Sequence, residues 1–334
     1  MYRLALAVML VLASVGLAYA DGGHAHHGDP PMPASLENKT SVSWEGNVMT
    51  MTFGPVDLPT GHDGDLAASI PKHIFQLPKD RYLTAFKSNI FTKDGKPLPG
   101  QYLHHILLIN LDKKGVSCKD EPLFFAGAGM EMNESRFPQG YGVKLGKDQK
   151  IMAVVAFYHG APPTKDAVAT FTMEFAPEGT KVEEMDVYQV GVNVVCYSKF
   201  DQRRKDESDE GIEIQPGVQV DRAPLKFGMD GCVKFVYPHG HDQLLLIALE
   251  NKTTKQTLLR TVPDVEMDGS LRSFQTHQIY KDPQGFEIKA SHEYEMVMVY
   301  HRLLQDAKLG HGMGNYLIYM TPGSCPKPQK SAKN

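Results

Sequence analysis

ATFTMEF, residues 169–175, alternates apolar and polar side chains without a break. Strict alternation is the mark of a strand with one buried face, because successive side chains on an extended chain point to opposite sides. Similar short runs, some alternating and some continuously apolar, recur along the chain: YLHHILLINL (102–111), IMAVVAFYH (151–159), DVYQVGVNVVCY (186–197), QLLLIAL (243–249) and YEMVMVYH (294–301). Clusters of turn-forming residues separate them, such as KDGKPLPG (93–100) and KDPQG (281–285). Helix-period segments are hard to find. This pattern predicts an all-β protein of sandwich type. The stretch SKFDQRRKDESDEGIEIQPG (198–217) is the most polar part of the interior and the best place for a boundary. The expected architecture is two tandem antiparallel β-sandwiches, 41–200 and 212–325.

The chain has 334 residues and a formal net charge of −4. No basic block of the kind that binds nucleic acid occurs. Residues 1–20, MYRLALAVMLVLASVGLAYA, have a short basic start, an apolar centre and an Ala-Tyr-Ala end, the layout of a secretory signal peptide cleaved after Ala20. No later stretch is apolar enough to cross a bilayer as a helix, so no membrane attachment is expected after cleavage. The expected location is secreted, periplasmic or extracellular. Residues 21–40 begin with the polar DGGHAHHGDPPMP and read as a mobile His-rich tail, whose His24, His26 and His27 could take up Cu(II) or Zn(II) loosely. Residues 326–334 read as a second solvated tail. Four cysteines, Cys118, Cys196, Cys232 and Cys325, permit two disulfides in three connectivities, and none lies in a Cys-x-x-Cys pair. Asn38, Asn133 and Asn251 each begin an Asn-x-Ser/Thr triplet.

Fourteen histidines are present, and the informative ones fall in or beside strands. In PHGH, His239 and His241 are two residues apart, so an extended chain presents both imidazoles to one side. His104 and His105 are adjacent, and on a regular strand they would face opposite ways; a bulge or twist would let them meet. His159 ends a third strand. LGHGMGNYLIYM (309–320) places His311 and Met313 at the mouth of a late apolar strand, with Met313 between two glycines. Imidazole with thioether selects copper, above all Cu(I), over harder ions. No Gly-x-Ser-x-Gly elbow supports a serine hydrolase. For His62, His73, His277, His292 and His301 an ordinary structural or surface role is expected, with His301 the one able to approach Met313 across neighbouring strands.

HHILLIN, PHGHDQLLLIAL and GHGMGNYLIYM, in that order, resemble the copper type II, ascorbate-dependent monooxygenases, the peptidylglycine- and dopamine-hydroxylating enzymes. The chain looks more similar still to the plant stress-upregulated nodulin-type proteins. The enzyme resemblance implies two β-sandwich domains, each presenting one copper. His104, His105 and His159 would hold an electron-donating ion; His239, His241 and Met313 would hold the ion that activates dioxygen for C–H hydroxylation. It further implies ascorbate or a similar reductant, a Cys232–Cys325 bridge, and Cys118–Cys196 as the remaining pair. Two departures matter: Tyr237 and Leu317 stand where the peptide-amidating enzymes carry the arginine and tyrosine that grip a substrate carboxylate. Asn315 alone matches their substrate-contacting set, so a glycine-extended peptide is not the expected substrate. Tyr237 and Asn315, with His311 and Tyr316 beside them, are the candidates for lining a substrate pocket. Three functions follow: an exported copper monooxygenase with a small-molecule substrate; a copper-handling protein that receives the ion from a donor and does no chemistry; or a metal-free structural sandwich.

Overall fold

A computed structural model describes residues 40–58, 72–115, 121–157, 162–192, 212–267, 271–274, 279–302 and 311–326. The signal sequence, the His-rich tail short of its last residue, His159, Cys118, Cys196 and the polar stretch as far as residue 211 lie outside the described residues. The expectation of an all-β chain holds: the described residues form strands, with a single 3-10 turn at Gly100–Tyr102. Among them, no helix is long and apolar enough to cross a membrane.

The first half is built from two sheets. One runs β1 (Thr40–Glu45), β2 (Val48–Leu58), β10 (Thr164–Phe175), β4 (Arg81–Thr92), β8 (Tyr141–Leu145) and β11 (Glu183–Glu184), with β7 (Glu134–Arg136) also on β4. The other runs β3 (Lys72–Gln76), β9 (Lys150–Phe157), β5 (Leu103–Lys114) and β6 (Pro122–Gly129). The ATFTMEF alternation appears as expected, with Ala169, Phe171, Met173 and Phe175 buried in the core between the sheets. Central strands β5 and β9 are apolar on both faces, since Ile109, Met152 and Val154 form a small second cluster on the outer side. That is why their sequences read as continuous runs.

The second half also has two four-stranded sheets. One is β14 (Gly217–Leu225), β21 (Tyr294–Arg302), β16 (Leu244–Asn251) and β17 (Gln256–Thr261). The other is β12 (Asp186–Gly191), β23 (Gly314–Pro322), β15 (Gly231–Gly240) and β20 (Lys281–Ile288). Two small ladders complete it, β13 (Ile212–Glu213) with β22 (His311–Gly312) and β18 (Pro263–Val265) with β19 (Leu271–Phe274). Among the described strands, every ladder is antiparallel except that of β8 with β11. β12, within the span assigned to the first sandwich, hydrogen-bonds along its whole length to β23 of the second.

The β12–β23–β15–β20 sheet joins the halves because its two faces serve different cores. Val187, Phe235, Tyr237, Leu317 and Tyr319 belong to the core of the first half. Tyr188, Val190, Val233, Val236, Tyr316, Ile318 and Met320 belong to that of the second. Along β12 and β23 this division follows the two-residue period. Along β15 it does not: Val233 and Phe235 face different cores although they are two apart. The register against β23 slips by one residue between them, leaving Lys234 as the extra residue. Such a bulge inverts the facing of everything beyond it. Lys234 is buried, and its Nζ donates to the carbonyls of Pro283 (3.0 Å) and Gln284 (3.3 Å). It also lies 4.9 Å over the ring of Tyr141 from the first half, whose hydroxyl donates to the Pro283 carbonyl.

Cys232 and Cys325 are bonded, with Cα atoms 4.9 Å apart, across 93 residues of sequence. Of the disulfides implied by resemblance this is the one inside the described residues. Replacing both cysteines with alanine is expected to lower stability by about 4 kcal/mol, through the restored freedom of the unfolded chain. Urea denaturation of the two proteins at equal concentration measures the difference; an unchanged midpoint would refute it. Of the described Asn-x-Ser/Thr triplets, Asn133 is exposed, whereas Asn251 is buried. The Asn251 amide lies 3.0 Å from His292 Nδ1.

Candidate metal centre

The slip at Lys234 determines where the His-x-His pair points. Beyond it, Phe235 and Tyr237 face the first half, and the two-residue period carries His239 and His241 to the same side. Gly240 faces the other way, where a Cβ would collide with the Leu244 side chain. Asn315, buried and opposite His239 in the ladder, shares that face by its spacing from Leu317 and Tyr319.

On the first-half side, the ladder of β5 with β9 slips by one residue between Leu103 and His105. The irregularity that two neighbouring ligands would require is therefore present, and His104 and His105 have ring centroids 4.2 Å apart. Gly129 stands opposite His105, and a Cβ there would drive into the His104 carbonyl oxygen. The bulge thus depends on a glycine across the ladder.

The two pairs meet. His104 lies 6.2 Å from His239 and 5.6 Å from His241, His105 lies 6.2 Å from His239, and His239 lies 5.3 Å from His241, all between ring centroids. Two imidazoles on one tetrahedral ion, with metal–nitrogen distances near 2 Å, have centroids roughly 5 Å apart. His104 Nε2, His105 Nδ1 and His241 Nε2 are all buried. Spacing and donor type therefore suit a late transition metal. Among the described residues, however, no group of three or more His, Cys, Asp or Glu side chains is arranged to hold an ion.

A fifth member had no signal in the sequence. Glu131, in the loop between β6 and β7, is 2% exposed, and its Oε1 accepts from His239 Nδ1 at 2.5 Å. Burial pushes its carboxyl up, but His239, His104 and its own backbone amide together hold it below the usual carboxylate range. Glu131 lies in a run, AGAGMEMN, that matches no ligand spacing.

The other candidates take different places. Tyr237 is buried; its hydroxyl donates to the Met132 carbonyl at 3.1 Å and its ring packs 6.1 Å from Phe86. Burial and then the Glu131 carboxylate push its hydroxyl well up, keeping it a protonated donor. Tyr316 faces the second core, donating to the Ile247 carbonyl and bonded to Thr261 Oγ1. Met313 is half-buried, and its carbonyl accepts from the His241 amide (3.2 Å) and the Tyr300 hydroxyl (2.5 Å). Tyr300, the neighbour of His301 on β21, reaches the Met313 carbonyl. His311 pairs through its backbone with Glu213 in the small β13–β22 ladder.

No protein-family model and no curated protein sequence matches the chain. Among solved structures, it is similar to the cowpea mosaic virus top component (naturally occurring empty particles), with a TM-score of 0.34 and 10% identity over 91% of this chain and 96% of that one. It is also similar to N-glycanase F, with a TM-score of 0.33 and 7% identity over 84% of this chain and 97% of that one. Likeness at this level carries no functional argument.

Proposed function

We propose that this is an exported copper-binding protein that holds one ion between its two halves, using His104 and His105 from the first and His239 and His241 from the second. The observation that carries the reading is the meeting of four imidazoles from distant parts of the chain, two buried and two half-buried, in one cluster. Charge would favour Cu(I) over both Cu(II) and Zn(II). With Glu131 ionised and the imidazoles neutral, a monovalent ion leaves the cluster uncharged, whereas a divalent ion leaves a buried positive charge, which a low-dielectric interior penalises. Met313, whose backbone is bonded to His241, is the soft donor that would add to this preference.

Bound copper would supply one-electron chemistry, with ascorbate or a similar reductant as the electron source. The monooxygenase reading, in the sense of the copper type II, ascorbate-dependent family, remains the catalytic form of this proposal, with Asn315 beside His239 as its substrate-side residue. Copper handling is favoured over it by one observation: both histidine pairs converge on one place, while two-copper chemistry divides them. The deciding measurement is copper per mature chain after loading and desalting, with oxygen uptake in the presence of ascorbate. One equivalent without oxygen uptake supports handling. Two equivalents with uptake would make the enzyme the better account, and no retained copper would end both.

Tyr300→Phe removes one of the two donors to the Met313 carbonyl and is expected to cost about 1 kcal/mol of stability. If the thioether takes part in binding, Cu(I) affinity falls in this variant while Zn(II) affinity does not. Competition titrations with the two ions separate those results.

A further inference from the structure

We infer that Asn133, in the triplet Asn133-Glu134-Ser135, is an acceptor of an N-linked glycan, and that Asn251, in Asn251-Lys252-Thr253, is not. The inference rests on the export part of the reading above and on nothing in the histidine cluster. Both triplets meet the same sequence requirement, an amide followed two residues later by a hydroxyl. What separates them is how the fold uses those groups.

At Asn251 both recognised side chains are committed. The Asn251 Oδ1 accepts from the Thr254 amide at 3.0 Å, and the side-chain nitrogen lies 3.0 Å from His292 Nδ1. The Thr253 hydroxyl accepts from the Glu293 amide at 2.9 Å. These bonds build the turn between β16 and β17 and tie it to the residues before β21. Asparagine and threonine are thus explained there by the fold, and a glycan on the buried Asn251 would have to break its bonds.

At Asn133 the opposite holds. The residue is exposed, and its side chain makes no hydrogen bond among the described residues; its backbone carbonyl accepts from the Ser88 amide at 2.8 Å. The Ser135 hydroxyl is buried with no hydrogen-bond partner among the described residues. Burying an unpartnered hydroxyl costs stability, and alanine would fill the same place without that cost. The fold therefore has no use for the two groups that the triplet requires. Glycan transfer does use them, reading both on the chain before it folds, while Ser135 is still open. Among the described residues β7 pairs with β4 alone, so a sugar leaving Asn133 displaces no ladder.

The transfer forms a bond from Asn133 Nδ2 to the anomeric carbon of a lipid-pyrophosphate-linked oligosaccharide. The carbon–oxygen bond to the pyrophosphate breaks, the lipid pyrophosphate leaves, and one amide proton is lost to base. No oxidant or reductant is needed.

The test expresses the full chain, with its own leader, in eukaryotic cells that secrete into the medium. Enzymatic removal of the glycan turns a modified asparagine into aspartate, which mass spectrometry reads position by position. Asn133 should read as aspartate in most secreted chains and Asn251 as asparagine. Secreted chains with unmodified Asn133, or with a glycan on Asn251, would overturn the inference. A parallel chain carrying a leader that the host exports decides the matter if the native leader fails, and that failure would count against the export reading alone. Ser135→Ala should abolish modification at Asn133. In unglycosylated protein made in bacteria, the same substitution should leave the urea midpoint unchanged or raised. A lowered midpoint would show that the hydroxyl serves the fold, and would overturn the inference.

Discussion

Single replacement of His104 or His239 by alanine is expected to weaken the same bound ion, each by roughly 100-fold or more, since losing a ligand costs more than losing a group behind one. The two residues are 135 positions apart by number, yet their rings lie 6.2 Å apart. If they serve one ion, the double variant will lose less than the product of the two single losses, because removing the first ligand already compromises what the second would hold. If each pair serves its own ion, His239→Ala will leave one equivalent bound at undiminished affinity. The readout is copper titration of four proteins, the wild type, both singles and the double. An undisturbed equivalent in either single variant would refute the shared site. Neither replacement should unfold the chain, because both rings sit in a polar cluster and not in the apolar cores.

Phe235→Ala should destabilise the whole described fold by about 3–5 kcal/mol, the usual loss for truncating a buried aromatic side chain. Phe235 is 2% exposed, with its ring centroid 5.3 Å from Phe137 and 5.6 Å from Tyr319. It sits on a strand of the second half, but the core it fills is that of the first. The lone tryptophan, Trp44, provides a probe in the first half, where it stacks on Phe175 at 5.6 Å. In urea, Trp44 fluorescence and far-UV circular dichroism should give coincident transitions in the wild type, and both should move together in Phe235→Ala. A Trp44 transition unaffected by the substitution would mean that the halves unfold independently. The sheet shared between two cores makes that outcome physically difficult: exposing its outer face strips Phe235, Tyr237, Leu317 and Tyr319 of their packing at once.

The same shared sheet explains how the chain brings its histidines together. A pair on β5 and a pair at the end of β15 would remain on separate sandwiches if those sandwiches were joined only by a tether. Because β15 lies against the first core, the face that carries Phe235 and Tyr237 also carries His239 toward β5. Tyr237 then serves that packing, through Phe86 and the Met132 carbonyl, before any role in lining a pocket.

Composition and period were enough to determine that the chain is all β, that ATFTMEF is a half-buried strand, and that His239 and His241 share a side. These are local properties: alternation with period two is imposed by the extended backbone wherever the strand is placed. The pairing of Cys232 with Cys325 was open among three connectivities on the residues alone and was narrowed only by resemblance. Tertiary structure decided the rest. The one-residue slips at Lys234 and His104 invert or gather side chains, and they arise from how neighbouring strands dock, which no period within a single strand records. Glu131 joins the cluster from a loop with no ligand spacing, because that loop donates a hydrogen bond to the His104 carbonyl and accepts others from Tyr237 and Phe274, on three other strands. Period assigns residues to faces of a strand; only the packing of one sheet against two cores assigns those faces to partners.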